Sequence, residues 1–227
     1  MERIQESFEV KLAVDWSDMK GWIIRRIGEM FHDCPYYFFT ERDIHSLLCD
    51  IANEELRLSG VTEAKTSDGY LVNLVHHEYP TPFRCDMSEY GFAKKDQPPY
   101  ERGHYDLVIL NPAFVRGNNL EVVCAKDFEV FEAGMQHVGA SPLIWVCEVM
   151  FFPRVKAIPG NAILQIGQDA MKVAETLKHK VGSDTLFCEL GAVLVFTNHA
   201  AEKAADLKTD VSLIEERLGI EATLFSA

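Results

Sequence analysis

Apolar and polar positions change their spacing several times along this chain, and each change marks an element. Residues 16 to 32, WSDMKGWIIRRIGEMFH, mix apolar and charged positions at helical spacing. In YYFFTERDIHSLLCDIANEELRLSG (36–60), Ile44, Leu47, Leu48, Ile51 and Leu56 make most of an apolar helix face. Thr40 stands as its N-cap, acidic residues fill the first turn, and Gly60 marks its stop. The period then shortens to that of strands in YLVNLVHHEYP (70–80), HYDLVILN (104–111), PLIWVCEVMFF (142–152) and LFCELGAVLVFTN (186–198). Pro112 and Pro153 stop the second and third of these. NAILQIGQDAMKVAETLKHK (161–180) and LKTDVSLIEERLG (207–219) read as helices, and VVCAKDFEVFEAG (122–134) fits neither period cleanly.

This order predicts an α/β fold, a central mixed sheet flanked by helices. It reads as a single domain over 1–227. A helical extension (1–35) precedes the core (36–200), and a C-terminal helix (201–227) follows it. The long stretch TPFRCDMSEYGFAKKDQPPYERG (81–103) has the Pro, Gly and charge of a loop. Strands flank it closely, so it reads as a binding loop or lid within the domain. Its Tyr90, Phe92, Lys94, Lys95, Tyr100 and Arg102 could face nucleic acid, although a mobile polar loop accounts for them better.

Composition narrows the function. A chain of 227 residues is long enough to bury a sizeable core. A net charge of −13 argues against a protein that coats nucleic acid, and favours a protein partner somewhat. It leaves room for a local basic groove, or for a metal bridging carboxylates to phosphate. No apolar run reaches the roughly 20 residues of a membrane span. MERIQESFEV has no signal-peptide core, so the expectation is a cytoplasmic protein without a membrane partner. Six cysteines include no C-x-x-C pair. Cys49, Cys124, Cys147 and Cys188 lie in apolar runs and are expected to be reduced core residues. No G-x-S-x-G, Walker loop or G-x-G-x-x-G is present.

The unusual feature is acid inside apolar strands. Asp106 shares a strand face with His104 and Val108, and Glu148 shares one with Ile144, Val146 and Met150. A buried, unpaired carboxylate costs roughly several kcal/mol unless it is paired, protonated or bound to a metal. Two such acids on one sheet suit a hard divalent cation, which leaves coordination sites for phosphate and water. A solvated or salt-bridged strand end is the competing explanation for each acid alone. Glu41 at the start of the first core helix and Glu78 in HHEYP are further candidates. Helix-dipole preference and a solvated strand end, respectively, would explain them without a site.

TERDIHSLL, HHEYPT, HYDLVILN and WVCEVMFF, in that order, resemble the PD-(D/E)XK nuclease superfamily, the restriction-endonuclease-like fold. The resemblance spans residues 36 to about 200. It implies a magnesium-dependent (or manganese-dependent) phosphodiesterase acting on DNA or RNA. It implies Glu41 as the helix acid, Asp106 and Glu148 as metal ligands, and the carbonyl of Val149 as a further ligand. The chain departs from the pattern in two ways. A long interval between Asp106 and Glu148 implies an insertion. The motif lysine is replaced by Met150, which has neither charge nor proton to offer.

Three outcomes follow from Met150. A displaced lysine takes over, with Lys172 or Lys156 as candidates and Arg154 as a weaker one. Alternatively Gln165 or Gln168 holds water or phosphate. Otherwise Met150 fills the hole and the scaffold binds protein or nucleic acid without cutting, a reading that leaves room for a homodimer. Lys172, within QDAMKVAETLK, reads more readily as part of a solvated helix face, which tips the expectation toward lost or impaired chemistry.

The histidines offer a different metal site. His76 with Glu78, His104 with Asp106, and Glu41 with His45 each share a face. Converging, they would suit zinc, manganese or iron and make a metal-dependent hydrolase that needs no lysine.

Overall fold

The computed structural model describes residues 14–81, 85–86, 100–101, 103–125, 127–181 and 184–227. Helix α1 (Trp16–Asp33) leads through a 3-10 turn at Pro35–Tyr37 into α2 (Glu41–Leu58). A small hairpin, β1 (Glu63–Lys65) with β2 (Leu71–Asn73), precedes β3 (Val75–Pro80). The short pair β4 (Cys85–Asp86) and β5 (Tyr100–Glu101) comes before β6 (His104–Leu110). Helices α3 (Pro112–Gly117), α4 (Leu120–Val123) and α5 (Phe128–Val138) fill the interval before β7 (Leu143–Phe152). Then come α6 (Ala162–Lys178), the short pair β8 (Lys180–Val181) and β9 (Thr185–Leu186), and β10 (Cys188–Thr197). Helix α7 (Ala201–Leu218) and strand β11 (Glu221–Ser226) complete the chain.

The central sheet has five strands in the order β11-β10-β7-β6-β3. Strands β7, β10 and β11 are parallel, joined by α6 and α7 as crossovers, whereas β3, β6 and β7 are antiparallel. The fold is therefore mixed α/β. Helices cover both faces. On β10, Gly191 and Phe196 point to opposite sides of the sheet. A Cβ at Gly191 would lie 2.5 Å from Val173 of α6, so glycine lets that helix approach closely. Phe196 instead packs edge-on against Phe31 of α1, with ring centroids 5.1 Å apart. β7 is buried on both faces along almost its whole length, as its continuous apolar run requires.

Several expectations are revised. The strand read over 70–80 is two strands, because the chain leaves its pairing with β1 at Asn73 and joins β6 from Val75. The ambiguous 122–134 stretch is helical, lying across α4 and α5. The C-terminal helix begins at Ala201 and ends where Gly219 takes a left-handed conformation, and the residues after it form β11 at the sheet edge. Cys147 and Cys188 are buried, but Cys49 is half-buried and Cys124 is exposed, so not all four are core thiols. Most of the 81–103 loop lies outside the described residues, and of the six aromatic and basic residues noted there only the backbone of Tyr100 falls within them. Among the described residues no helix is long and apolar enough to cross a membrane.

Candidate functional site

Strand register brings three acids to one level of the sheet. On β3 and β6, His77 pairs with Leu107 and Tyr79 with Tyr105, which sets Glu78 opposite Asp106. On β6 and β7, Leu107 pairs with Cys147, and one step further sets Asp106 level with Glu148. Glu78 has a φ of 52°, a left-handed conformation that a non-glycine residue adopts only under constraint. The β3–β6 ladder skips its partner at that point.

Asp106 and the α2 acid Glu41 complete the hydrogen bonding of β7. Its ladder with β6 ends at Leu107 and Cys147, so the next amides on that edge need acceptors. The Val149 amide donates to Asp106 Oδ2 at 2.6 Å, and the Phe151 amide donates to Glu41 Oε2 at 3.1 Å. The carbonyl of Val149 projects from the same edge as its amide, toward Asp106. Glu41 is raised above the ordinary carboxylate value, chiefly by desolvation and further by the nearby Asp106, against the lowering effect of the Phe151 amide.

The cation comes from α6. Lys172 Nζ lies 2.8 Å from Glu148 Oε1 and 3.6 Å from Asp169 Oδ1, and donates to the His104 carbonyl at 2.8 Å. The Lys172 side chain is only 15% exposed and Glu148 is 2% exposed, so this lysine is no solvated helix-face residue. Burial pushes Glu148 well above the ordinary carboxylate range, and the Lys172 ammonium opposes that rise. Burial disfavours the charged form of Lys172, yet Glu148, Asp169 and Asp106 together hold it protonated above the ordinary lysine value. Gln168 sits one turn before Lys172 on the same helix face. Met150 is half-buried against the core, while Arg154 and Lys156 are exposed beyond the end of β7. Among the described residues, Lys172 forms the ion pair with Glu148, and the His45 ring lies beside Asp106.

His45 forms the other flank. Its Nε2 lies 3.6 Å from Asp106 Oδ2, is shielded from solvent and has no hydrogen-bond partner. One donor atom each from His45, Glu78 and Asp106 falls within 4.8 Å of the others, a spread that one metal ion could bridge. Arg42, Ser46, Cys49, Asp50 and His77 continue this edge as a cleft of about 420 Å³. The other expected histidines do not converge. His76 Nε2 pairs with the Asn73 carbonyl at 2.7 Å, and the exposed His104 contributes its backbone carbonyl.

Sequence reasoning named Glu41, Glu78, Asp106, Glu148, Val149 and Lys172, and the fold brings all six to one end of the sheet. It paired His45 with Glu41, and the structure keeps that electrostatic neighbour while setting His45 Nε2 3.6 Å from Asp106 Oδ2. It passed over Asp169, whose one signal was its place three residues before Lys172. Carboxylates outnumber cations here. Such an excess of negative charge around oxygen and imidazole donors fits a divalent cation. Compared with protein-family models, curated proteins and solved structures, the chain finds no match.

Proposed function

We propose that this protein is a divalent-metal-dependent phosphodiesterase acting on nucleic acid, a PD-(D/E)XK-like nuclease whose lysine has moved from strand to helix. The observation that carries the reading is Lys172 Nζ at 2.8 Å from Glu148 Oε1. The order α2-β3-β6-β7-α6-β10 supports it, with Glu41, Asp106 and Glu148 on the elements the resemblance requires. Asp106 is the central ligand, joined by Glu148 and the Val149 carbonyl on one side or by His45 and Glu78 on the other. The imidazole donor widens the choice from magnesium toward manganese or zinc. A cation bound there supplies Lewis acidity toward a phosphoryl oxygen.

Lys172, held protonated by its acidic neighbours, donates to the phosphate or to the attacking water and stabilises developing negative charge. In that state it takes no proton, so the proton-accepting group would be a carboxylate of the site that does not hold the metal, with Glu148 beside Lys172 where His45, Glu78 and Asp106 hold it. A second reading, a non-catalytic interaction module, has one observation of its own. Asp106 and Glu41 cap amides of β7, a task that needs no metal.

The test is cleavage of labelled DNA and RNA with magnesium or manganese. Lys172→Met is expected to lower the rate by about a hundredfold or more. Met150→Lys in that background is expected to restore part of it, because position 150 shares a strand face with Glu148. Absence of cleavage in both metals, together with no metal binding by calorimetry, would leave the interaction module.

A further inference from the structure

Four consecutive aromatic residues, Tyr36 to Phe39, lead into α2, and the fold treats them unequally. Phe38 is buried and packs on Phe31, with ring centroids 5.3 Å apart. Tyr36, Tyr37 and Phe39 are 59%, 76% and 76% exposed. Three exposed aromatic rings thus stand within four residues of one turn.

The turn that carries them is firmly held. Asn198 ties it to the sheet, donating to the Pro35 carbonyl at 3.3 Å while accepting from the Arg154 amide at 2.5 Å. Asp43 accepts from the amides of Phe39 and Thr40 at 2.9 and 2.8 Å. Two residues beyond Phe39, Glu41 reaches the Phe151 amide of β7. The backbone of the turn is thus held at the end of the strand that carries Glu148.

We infer that this aromatic turn is a stacking platform for unpaired nucleobases, which makes single-stranded nucleic acid the substrate class of the neighbouring site; the inference rests on the nuclease reading for what happens beyond the platform. Bases in a duplex are already stacked and have no free face to offer, whereas every unpaired base has one. With a net charge of −13, the chain is poorly suited to hold a polyanion through counterion release alone. Stacking needs no positive charge. Arg42, at the start of α2, supplies a local cation along the cleft that leads past His45 to Glu78.

The experiment is fluorescence anisotropy with a labelled oligothymidylate and a duplex of equal length, in chelator so that nothing is cut. Wild type is compared with the double variant Tyr37→Ala/Phe39→Ala. Both replaced rings are exposed, and circular dichroism checks that the fold is kept. Wild type is expected to prefer the single strand, with affinity falling only shallowly with salt. The double variant is expected to bind it about tenfold or more weakly. Equal affinity for both forms, an unchanged double variant, or no binding of either nucleic acid would overturn the platform, the last leaving the rings to a protein partner. Ring-dependent binding by a protein that cuts nothing with any metal would sink the nuclease reading and keep the platform. Cleavage whose single-strand preference is unchanged in the double variant would do the reverse.

Discussion

Lys172 and Glu148 meet at 2.8 Å although one projects from a helix and the other from the interior of a central strand. Met150, the residue standing where the strand lysine of the resemblance would be, packs against the core instead. The positive charge that the resemblance would put on the strand stands beside Glu148 from another direction.

Removing that charge should be costly, and the cost should depend on pH. In Lys172→Met, Glu148 stays buried without its cation, which should cost about 3 kcal/mol at neutral pH. The folded state raises the affinity of Glu148 for a proton above its ordinary value of 4.5. Its contribution to the variant's stability is therefore fully present below about 4.5 and lost as pH rises through the higher folded value. Lys172 in wild type is raised above 10.5, so its contribution holds below that value and fades as pH rises through the folded one. Urea unfolding across a pH series should show the gap between wild type and variant widening from acid to neutral pH and narrowing again at strongly alkaline pH. Adding Glu148→Gln to Lys172→Met should recover much of the loss and flatten the acid limb. A gap independent of pH would mean that the pair carries no such linkage.

Asp106 caps the Val149 amide and, on the proposed reading, would also hold the metal, and substitution separates the two. Asparagine keeps an oxygen for the Val149 amide, whereas alanine leaves that amide without its acceptor. Thermal or chemical unfolding should find Asp106→Asn close to wild type and Asp106→Ala destabilised by about 1–3 kcal/mol. Calorimetry should find metal binding lost in both. Full metal affinity in Asp106→Asn would remove Asp106 from the ligand set.

On the proposed reading, His45 would decide which metals fit. As a ligand alongside Glu78 and Asp106, it should matter for manganese and zinc and hardly at all for magnesium. In titration calorimetry, His45→Ala should weaken zinc and manganese by more than about tenfold while leaving magnesium nearly unchanged. Equal loss for all three ions would show that His45 shapes the cleft without ligating.

Much of the architecture was legible because its cause is local. The continuous apolar run of β7, the helix face of Ile44, Leu48 and Ile51, and an acid placed inside a buried strand all follow from period and burial. β11 was not legible. Its short run follows Gly219 directly and becomes a strand only because the edge of β10 offers parallel partners. The cysteine at 124 misled for a related reason, since an apolar neighbourhood in sequence need not face the core.

By itself the sequence determined that this is an α/β chain with Asp106 and Glu148 held in apolar strands, because side-chain alternation and the cost of burying charge act along the chain. Only the tertiary structure decided which cation answers Glu148, that His45 and Glu78 flank Asp106, and that Tyr36, Tyr37 and Phe39 are left exposed while Phe38 is buried. Each of these depends on register between distant strands and on how closely a helix settles on the sheet. Gly191 permits that close approach of α6, and the long flexible stem of a lysine then spans what remains.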